Sequence, residues 1–138
     1  MQVRVRDIMT EHLVTVSPDA SASDAVALML RHGISGMPVV DASRKLLGVI
    51  SEYDLLECFL DQPEHIPSVA RYMTAEVRTI APDDDTMDVA RIFLEGNYRR
   101  LPVVENGYLV GLVSRRDIMR LIETLRSLRE MEPTTSVA

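Results

Sequence analysis

The sequence predicts a mixed α/β protein made of two β-α-β-β-α units. Three observations carry that expectation. The chain is duplicated: residues 5–60 align with 69–124 at an offset of 64, which slips to 63 after a one-residue deletion. Within each copy, apolar residues change from strand-like runs to helical spacing and back. In the second copy, Asn106-Gly107 lies between two β-rich runs, a strong hairpin signal. A duplication this short implies two units that bury their exposed faces against each other. Any cleft between them would be lined twice, by related residues.

The elements follow in order. Leu13 to Val16 is a short β-like run, ended by Ser17-Pro18-Asp19. Ser21-Ala-Ser-Asp24 fits a capping box with Asp in place of Glu. Val26, Met29 and Leu30 then mark one apolar helix face, and Gly33 closes the helix in the left-handed conformation. In the second copy, Asp85-Thr-Met-Asp88 starts the helix and Asn97, the next-best left-handed residue, stops it. Strands are expected over Met37 to Val40 and Leu46 to Ile50, and again over Leu101 to Val104 and Leu109 to Val113. A last helix starts at Ser51 or Ser114, with Leu55, Leu56 and Phe59 matching Ile118, Met119 and Ile122. This divides the chain into a first unit at 1–60, a linker at 61–68 and a second unit at 69–125. Residues 126–138 form a helix end and a polar tail from Pro133.

With 138 residues the chain supports one compact core, or two smaller ones sharing an interface. An apolar fraction of 46% with 26% charged residues fits a soluble globular protein. No apolar run is long enough to cross a bilayer, and the N-terminus lacks a secretory h-region. Cytoplasmic residence is expected. Cys58 is the sole cysteine, so it forms no internal disulfide and reads as a small core hydrophobe. The net charge of −6 argues against nucleic-acid binding. Its distribution is uneven. Arg99, Arg100, Arg115, Arg116 and Arg120 stand where the first copy has Ser35, Gly36, Glu52, Tyr53 and Glu57. For Arg120 the expected role is a solvated face.

The recurring chemical motif is Gly-x-x-Ser-x-x-Asp at a strand-to-helix turn: Gly48, Ser51, Asp54 and Gly111, Ser114, Asp117. Ser-x-x-Asp is itself a capping box and needs no ligand. Its recurrence in register, with Gly before each Ser, shifts the weight toward a site. A helix N-terminus offers unpaired N–H groups to an anion. A carboxylate one turn further in can accept both hydroxyls of a ribose. The same residues can cap the helix and hold a nucleoside.

With these motifs the chain resembles a tandem pair of cystathionine-β-synthase-type (CBS) domains, a Bateman module, over residues 3–125. The resemblance implies two units packed sheet to sheet with pseudo-twofold symmetry and two clefts for adenosine-containing ligands. It gives Asp54 and Asp117 the ribose, and places Ser51 and Ser114 near ribose or phosphate. The backbone of Val14-Thr15-Val16 and Arg78-Thr79-Ile80 would read the adenine, with the segment Ile34-Ser35-Gly36-Met37-Pro38 as an apolar rest for the base. Arg99-Arg100, before Leu101-Pro102, matches a phosphate-binding pair, and bidentate guanidinium suits that role. An exposed loop pair is the other reading. Arg115 and Arg116 complete the candidate ligand set. Because Ser35-Gly36 carry no charge, one phosphorylated ligand, or one tight and one weak site, is expected.

No cofactor is required by this reading; the candidate regulatory ligands are AMP, ADP, ATP and S-adenosylmethionine. The expected assembly is a homodimer signalling to an effector protein, from a stand-alone module without a membrane or nucleic-acid role. No catalytic or metal site is expected. His12, His32 and His65 share no ligand spacing, Asp83-Asp84-Asp85 answers a helix dipole, and no phosphate loop is present. The competing reading is a ligand-free interaction scaffold, in which the Ser–Asp motifs are caps only.

Overall fold

The computed structural model describes residues 2–61, 64 and 66–131. Gln62, Pro63 and His65 of the expected linker, and the tail expected from Pro133, lie outside the described residues. The elements are α1 (Val5–Ile8), α2 (Ala22–His32), β1 (Gly36–Val40), β2 (Leu46–Ser51) and α3 (Glu52–Asp61), then α4 (Val69–Tyr72), α5 (Thr86–Glu95), β3 (Arg100–Glu105), β4 (Tyr108–Ser114) and α6 (Arg115–Glu130). The mixed α/β class is as expected. Each repeat is an antiparallel hairpin, β1-β2 or β3-β4, backed by two helices. No helix among the described residues is long and apolar enough to cross a membrane.

The first strand of each repeat is shorter than the sequence suggests. It is reduced to one parallel bridge, Val16 to Val39 and Ile80 to Val103. Proline explains the truncation. Val16 N–H donates to the Pro38 carbonyl at 3.1 Å, and Val40 N–H to the Val16 carbonyl at 3.0 Å. The next rung would need an N–H from Pro38 on one side, or from Pro18 on the other, and proline has none. Pro102 and Pro82 truncate the second copy in the same way. The carbonyls of Val14 and Arg78 therefore have no ladder donor opposite them.

Helix starts follow the caps. Ser21 and Asp24 form the predicted reciprocal box, with Asp24 N–H donating to Ser21 Oγ at 3.0 Å. Gly33 closes α2 at φ 62°. The second copy differs at its stop. Here α5 ends at Glu95 and the chain leaves through Gly96 at φ −112°, an extended conformation, so Asn97 does not supply a left-handed cap. Gly96 allows the Tyr98 ring to lie against the backbone, where a Cβ would collide with it. The Asn106-Gly107 turn has φ of 54° and 88°, the mirror-turn geometry that matches strand twist.

The two four-residue helices α1 and α4 are too short to leave a periodic signal. They exchange partners. Val5 of α1 is fully buried in the core of the second repeat, with Val89, Leu101, Val103 and Val113. Val69 of α4 is fully buried in the first, with Ala25, Val39 and Ile50. Backbone bonds repeat the exchange: Thr10 pairs with Leu112 and Thr74 with Val49, both antiparallel. These pairs are equivalent under the internal repeat, so the two halves are related by a pseudo-twofold axis. The hairpins also join at their turns, through Leu46 N–H to Gly107 and Leu109 N–H to Arg44.

Gly48 and Gly111 lie where these arms cross. A Cβ on Gly48 would sit 2.5 Å from the Thr74 carbonyl oxygen, which is fixed by its own ladder bond. A Cβ on Gly111 would meet only the Met9 side chain, at 2.7 Å from its sulfur, 3.0 Å from Cγ and 3.2 Å from Cβ, and no fixed carbonyl. Gly48→Ala should therefore lower the urea denaturation free energy by about 1–3 kcal/mol. Gly111→Ala should stay within about 1 kcal/mol of wild type, because Met9 can move and alanine restricts the unfolded chain. Equal losses in the two variants would contradict this account.

Candidate functional site

The site begins with the two Ser–Asp turns. Ser51 and Ser114 end β2 and β4, and each is followed at once by a helix. In the first turn Asp54 Oδ2 accepts the Ser51 N–H at 2.8 Å and its hydroxyl at 3.0 Å, while Asp54 N–H donates back to Ser51 Oγ at 3.2 Å. The second turn repeats this with distances of 2.7, 3.1 and 3.2 Å. Both motifs thus use one carboxylate oxygen as a helix cap. The second oxygen distinguishes them. Asp117 Oδ1 accepts from Arg120 Nη1 at 3.2 Å. Asp54 Oδ1 takes no hydrogen bond among the described residues.

Asp54 itself lines a cleft of about 510 Å³ built from both repeats. The first repeat supplies Ser35, Met37, Pro38, Ser51 and Asp54, and the second supplies Arg78, Tyr98, Arg99, Arg100 and Pro102. The volume is in the usual range for small-molecule sites. Met37 and Pro38, fully buried on β1, form an apolar floor continuous with the core.

Arg100 is the electrostatic centre. It opens β3, is half-buried, and reaches across to Ser35 of the first repeat, donating from Nη2 to Oγ at 2.5 Å. Gly36 leaves the space for it, since a Cβ there would strike the guanidinium. Among the described residues Arg100 makes no ion pair. Burial pushes its guanidinium below the ordinary arginine range, the charge of neighbouring Arg99 acts in the same direction, and the Glu52 carboxylate offsets part of this. Arg99 pairs at 3.7 Å with Glu52, an exposed contact of little energetic weight. The cleft thus holds a partly desolvated cation with a neutral partner, an arrangement that favours an anion.

A sequence profile of the CBS domain matches residues 5–61 and 69–124. The chain belongs to the CBS-domain family. This CBS pair is 32% identical over 118 residues to the uncharacterized protein MJ1225 of Methanocaldococcus jannaschii, covering 86% of the chain and 42% of that relative. It thus spans less than half the length of that protein. Among solved structures, CBSX2 in complex with AMP, from Arabidopsis thaliana, is 32% identical with a TM-score of 0.79, over 89% of this chain and 98% of that one. The CBS domain pair of MJ0100, in complex with 5′-methylthioadenosine and S-adenosyl-L-methionine, is 28% identical with a TM-score of 0.78, over 91% and 99%.

Within this CBS pair the residues singled out from sequence fall into three groups. Ser35, Met37, Pro38, Ser51, Asp54, Arg78, Arg99, Arg100 and Pro102 meet in the one cleft. Ser114, Arg115 and Arg116 line a separate groove of about 1020 Å³ along α6, which Arg99 also borders. Val16, Ile80 and Leu101 have their side chains in the cores, and Gly36 is buried beneath Arg100. Val14 and Ile34 pack partly buried against the first core, Thr15 is partly buried, and Thr79 borders a small recess near Lys45. Asp117 is turned toward Arg120.

Sequence reasoning missed Tyr98, Thr74 and Glu76 in the cleft. A signal existed for Tyr98, which aligns with Ile34 and so opens the segment equivalent to the apolar rest. Thr74 enters because its arm pairs with β2 of the opposite repeat, which no local pattern encodes. Cys58 is buried, as expected of a core hydrophobe, and desolvation pushes its thiol up. The acidic run is occupied structurally: Asp83 binds Arg6, Asp84 Oδ2 accepts Ala81 N–H, and Asp85 caps α5.

If Arg100 carries an unneutralised charge, removing it should relieve the folded state. Arg100→Met should raise the urea unfolding free energy of the ligand-free protein by on the order of 1 kcal/mol. A clear loss of stability would show instead that the Ser35 bond is a structural tie.

Proposed function

We propose that this CBS pair is a non-catalytic regulatory module that binds one adenine nucleotide between its repeats and passes the signal to a partner protein. The observation that carries the reading is the half-buried Arg100, without an ion pair among the described residues, lining the same cleft as Asp54. A phosphate would neutralise Arg100 and Arg99, which otherwise repel each other. Asp54 would accept a ribose hydroxyl on its free oxygen while Oδ2 keeps the cap. The proline-interrupted edge strand of the second repeat leaves the carbonyl of Arg78, which lines this cleft, without a ladder donor and open to an adenine amino group. Two adjacent arginines disfavour the cationic sulfonium of S-adenosylmethionine, so AMP, ADP or ATP is the ligand class. The AMP complex of CBSX2 supports the choice.

Binding would bring the two repeats together across the cleft, and the response is limited by the difference in affinity between the open and closed arrangements. Leu30 on α2 and Leu56, Phe59 and Leu60 on α3 are exposed apolar side chains that a second copy of the chain would cover. The module acts in the cytoplasm, where adenine nucleotides report energy state.

Titration calorimetry on nucleotide-stripped protein tests the reading. AMP, ADP or ATP should give saturable heat with S-adenosylmethionine weaker. Arg100→Met and Asp54→Ala should each weaken binding by about tenfold or more, the usual loss for a charge-assisted hydrogen bond. Asp117→Ala should bind nearly as wild type. No heat from folded protein with any of the four ligands would favour the ligand-free scaffold, in which both Ser–Asp turns are caps only.

A further inference from the structure

We propose that Glu52 makes the cleft selective for the nucleoside monophosphate over the di- and triphosphate, by holding a carboxylate among the arginines that would receive the phosphate. The inference rests on the nucleotide reading above and adds what limits the length of the phosphate chain. Glu52 is the first residue of α3 and lines the cleft together with Arg99 and Arg100. Its Oε1 lies 3.7 Å from Arg99 Nη1, across the boundary between the repeats. Its backbone N–H donates to the Ser35 carbonyl at 3.0 Å, and the hydroxyl of the same Ser35 accepts from Arg100. Ser35 thus ties the start of α3 to Arg100, and the charge of Glu52 acts on both guanidiniums.

Two further observations limit how much negative charge the cleft accepts. The start of α3 has little left to offer an anion, because the Glu52 N–H is bound to Ser35 and the Asp54 N–H to Ser51 Oγ. The charges lining the cleft also balance, with Glu52, Asp54 and Glu76 against Arg78, Arg99 and Arg100. A monophosphate brings about two negative charges, which Arg99 and Arg100 match once Arg99 turns from Glu52 to the phosphate. A longer chain adds charge at the same end of the cleft, where Glu52 repels it. The Glu52 side chain is 61% exposed, so water softens the repulsion and the result is a preference rather than an exclusion. The turn itself does not require a carboxylate there, since the second repeat builds the same Ser–Asp turn with Arg115 at that position.

Calorimetric titration of nucleotide-stripped protein with AMP and with ATP, in magnesium-free buffer, reads the preference directly. The wild-type chain should bind AMP about threefold or more tighter than ATP. Glu52→Gln should shift the ratio of the two affinities by about fivefold toward ATP, and Glu52→Arg should shift it further. Glu57→Gln removes a carboxylate that is exposed on the same helix but outside the cleft, and should keep the wild-type ratio. A wild-type preference for ATP, an unchanged ratio in Glu52→Gln, or an equal shift in Glu57→Gln would overturn the role of Glu52 and leave the nucleotide site standing. Folded protein that binds neither nucleotide would overturn the site and the selectivity together.

Discussion

The architecture depends on the crossing of two short arms. Each repeat forms its own hairpin and two of its helices, but the core of each is closed by a valine from the arm of the other: Val5 for the second repeat, Val69 for the first. A fully buried valine is worth about 1.5–3 kcal/mol, a large share of the margin available to a half-sized core. The arms are also fixed by backbone bonds to the carbonyls of Pro18 and Pro82, the prolines that stop the edge strands from extending. One residue type thus ends a ladder and supplies the acceptor that holds the exchanged helix. The distance between the repeats is set by these crossings, and so is the width of the cleft.

The internal symmetry is broken where charge enters. Both Ser–Asp turns are built alike to within a few tenths of an ångström, so the backbone requirement is the same twice. What differs is the neighbour of the outer oxygen: Arg120 beside Asp117, and no donor among the described residues beside Asp54. Arg99 and Arg100 belong to the second repeat by sequence, yet Arg100 bonds to Ser35 and Arg99 pairs with Glu52 of the first. The second repeat therefore provides the cation and the first provides the free carboxylate. A site shared in this way responds to the relative position of the repeats, which a site inside one repeat would not.

Much of this was legible in the sequence. Registered Ser-x-x-Asp motifs, the Ser21 cap, the Asn106-Gly107 turn and the buried Cys58 all express local rules, and local rules leave local patterns. The lost edge strands were legible too, had the prolines been read as missing donors rather than only as turn residues. Asn97 misled because its αL preference is weaker than the close packing of Tyr98 on Gly96. The arm exchange was not legible. Four residues hold too little periodicity to mark a helix, and nothing in Val5 or Val69 says which core it enters. Thr74 and the crossing of Arg100 to Ser35 depend on that exchange, so they were hidden with it.

The exchange also bears on how the chain is made. As it leaves the ribosome, the arm around Val5 has no core to enter until β4 and α6, more than 100 residues later, have been synthesised. The first repeat waits a shorter time, until Val69 emerges. Synthesis thus favours early closure of the first repeat and late closure of the second, with the N-terminal arm as the last piece to dock. Such long-range closure slows folding relative to a chain of the same size with local contacts. Until it occurs the second core lies open at the place where Val5 belongs, and this is the stage at which the nascent protein is most exposed to aggregation.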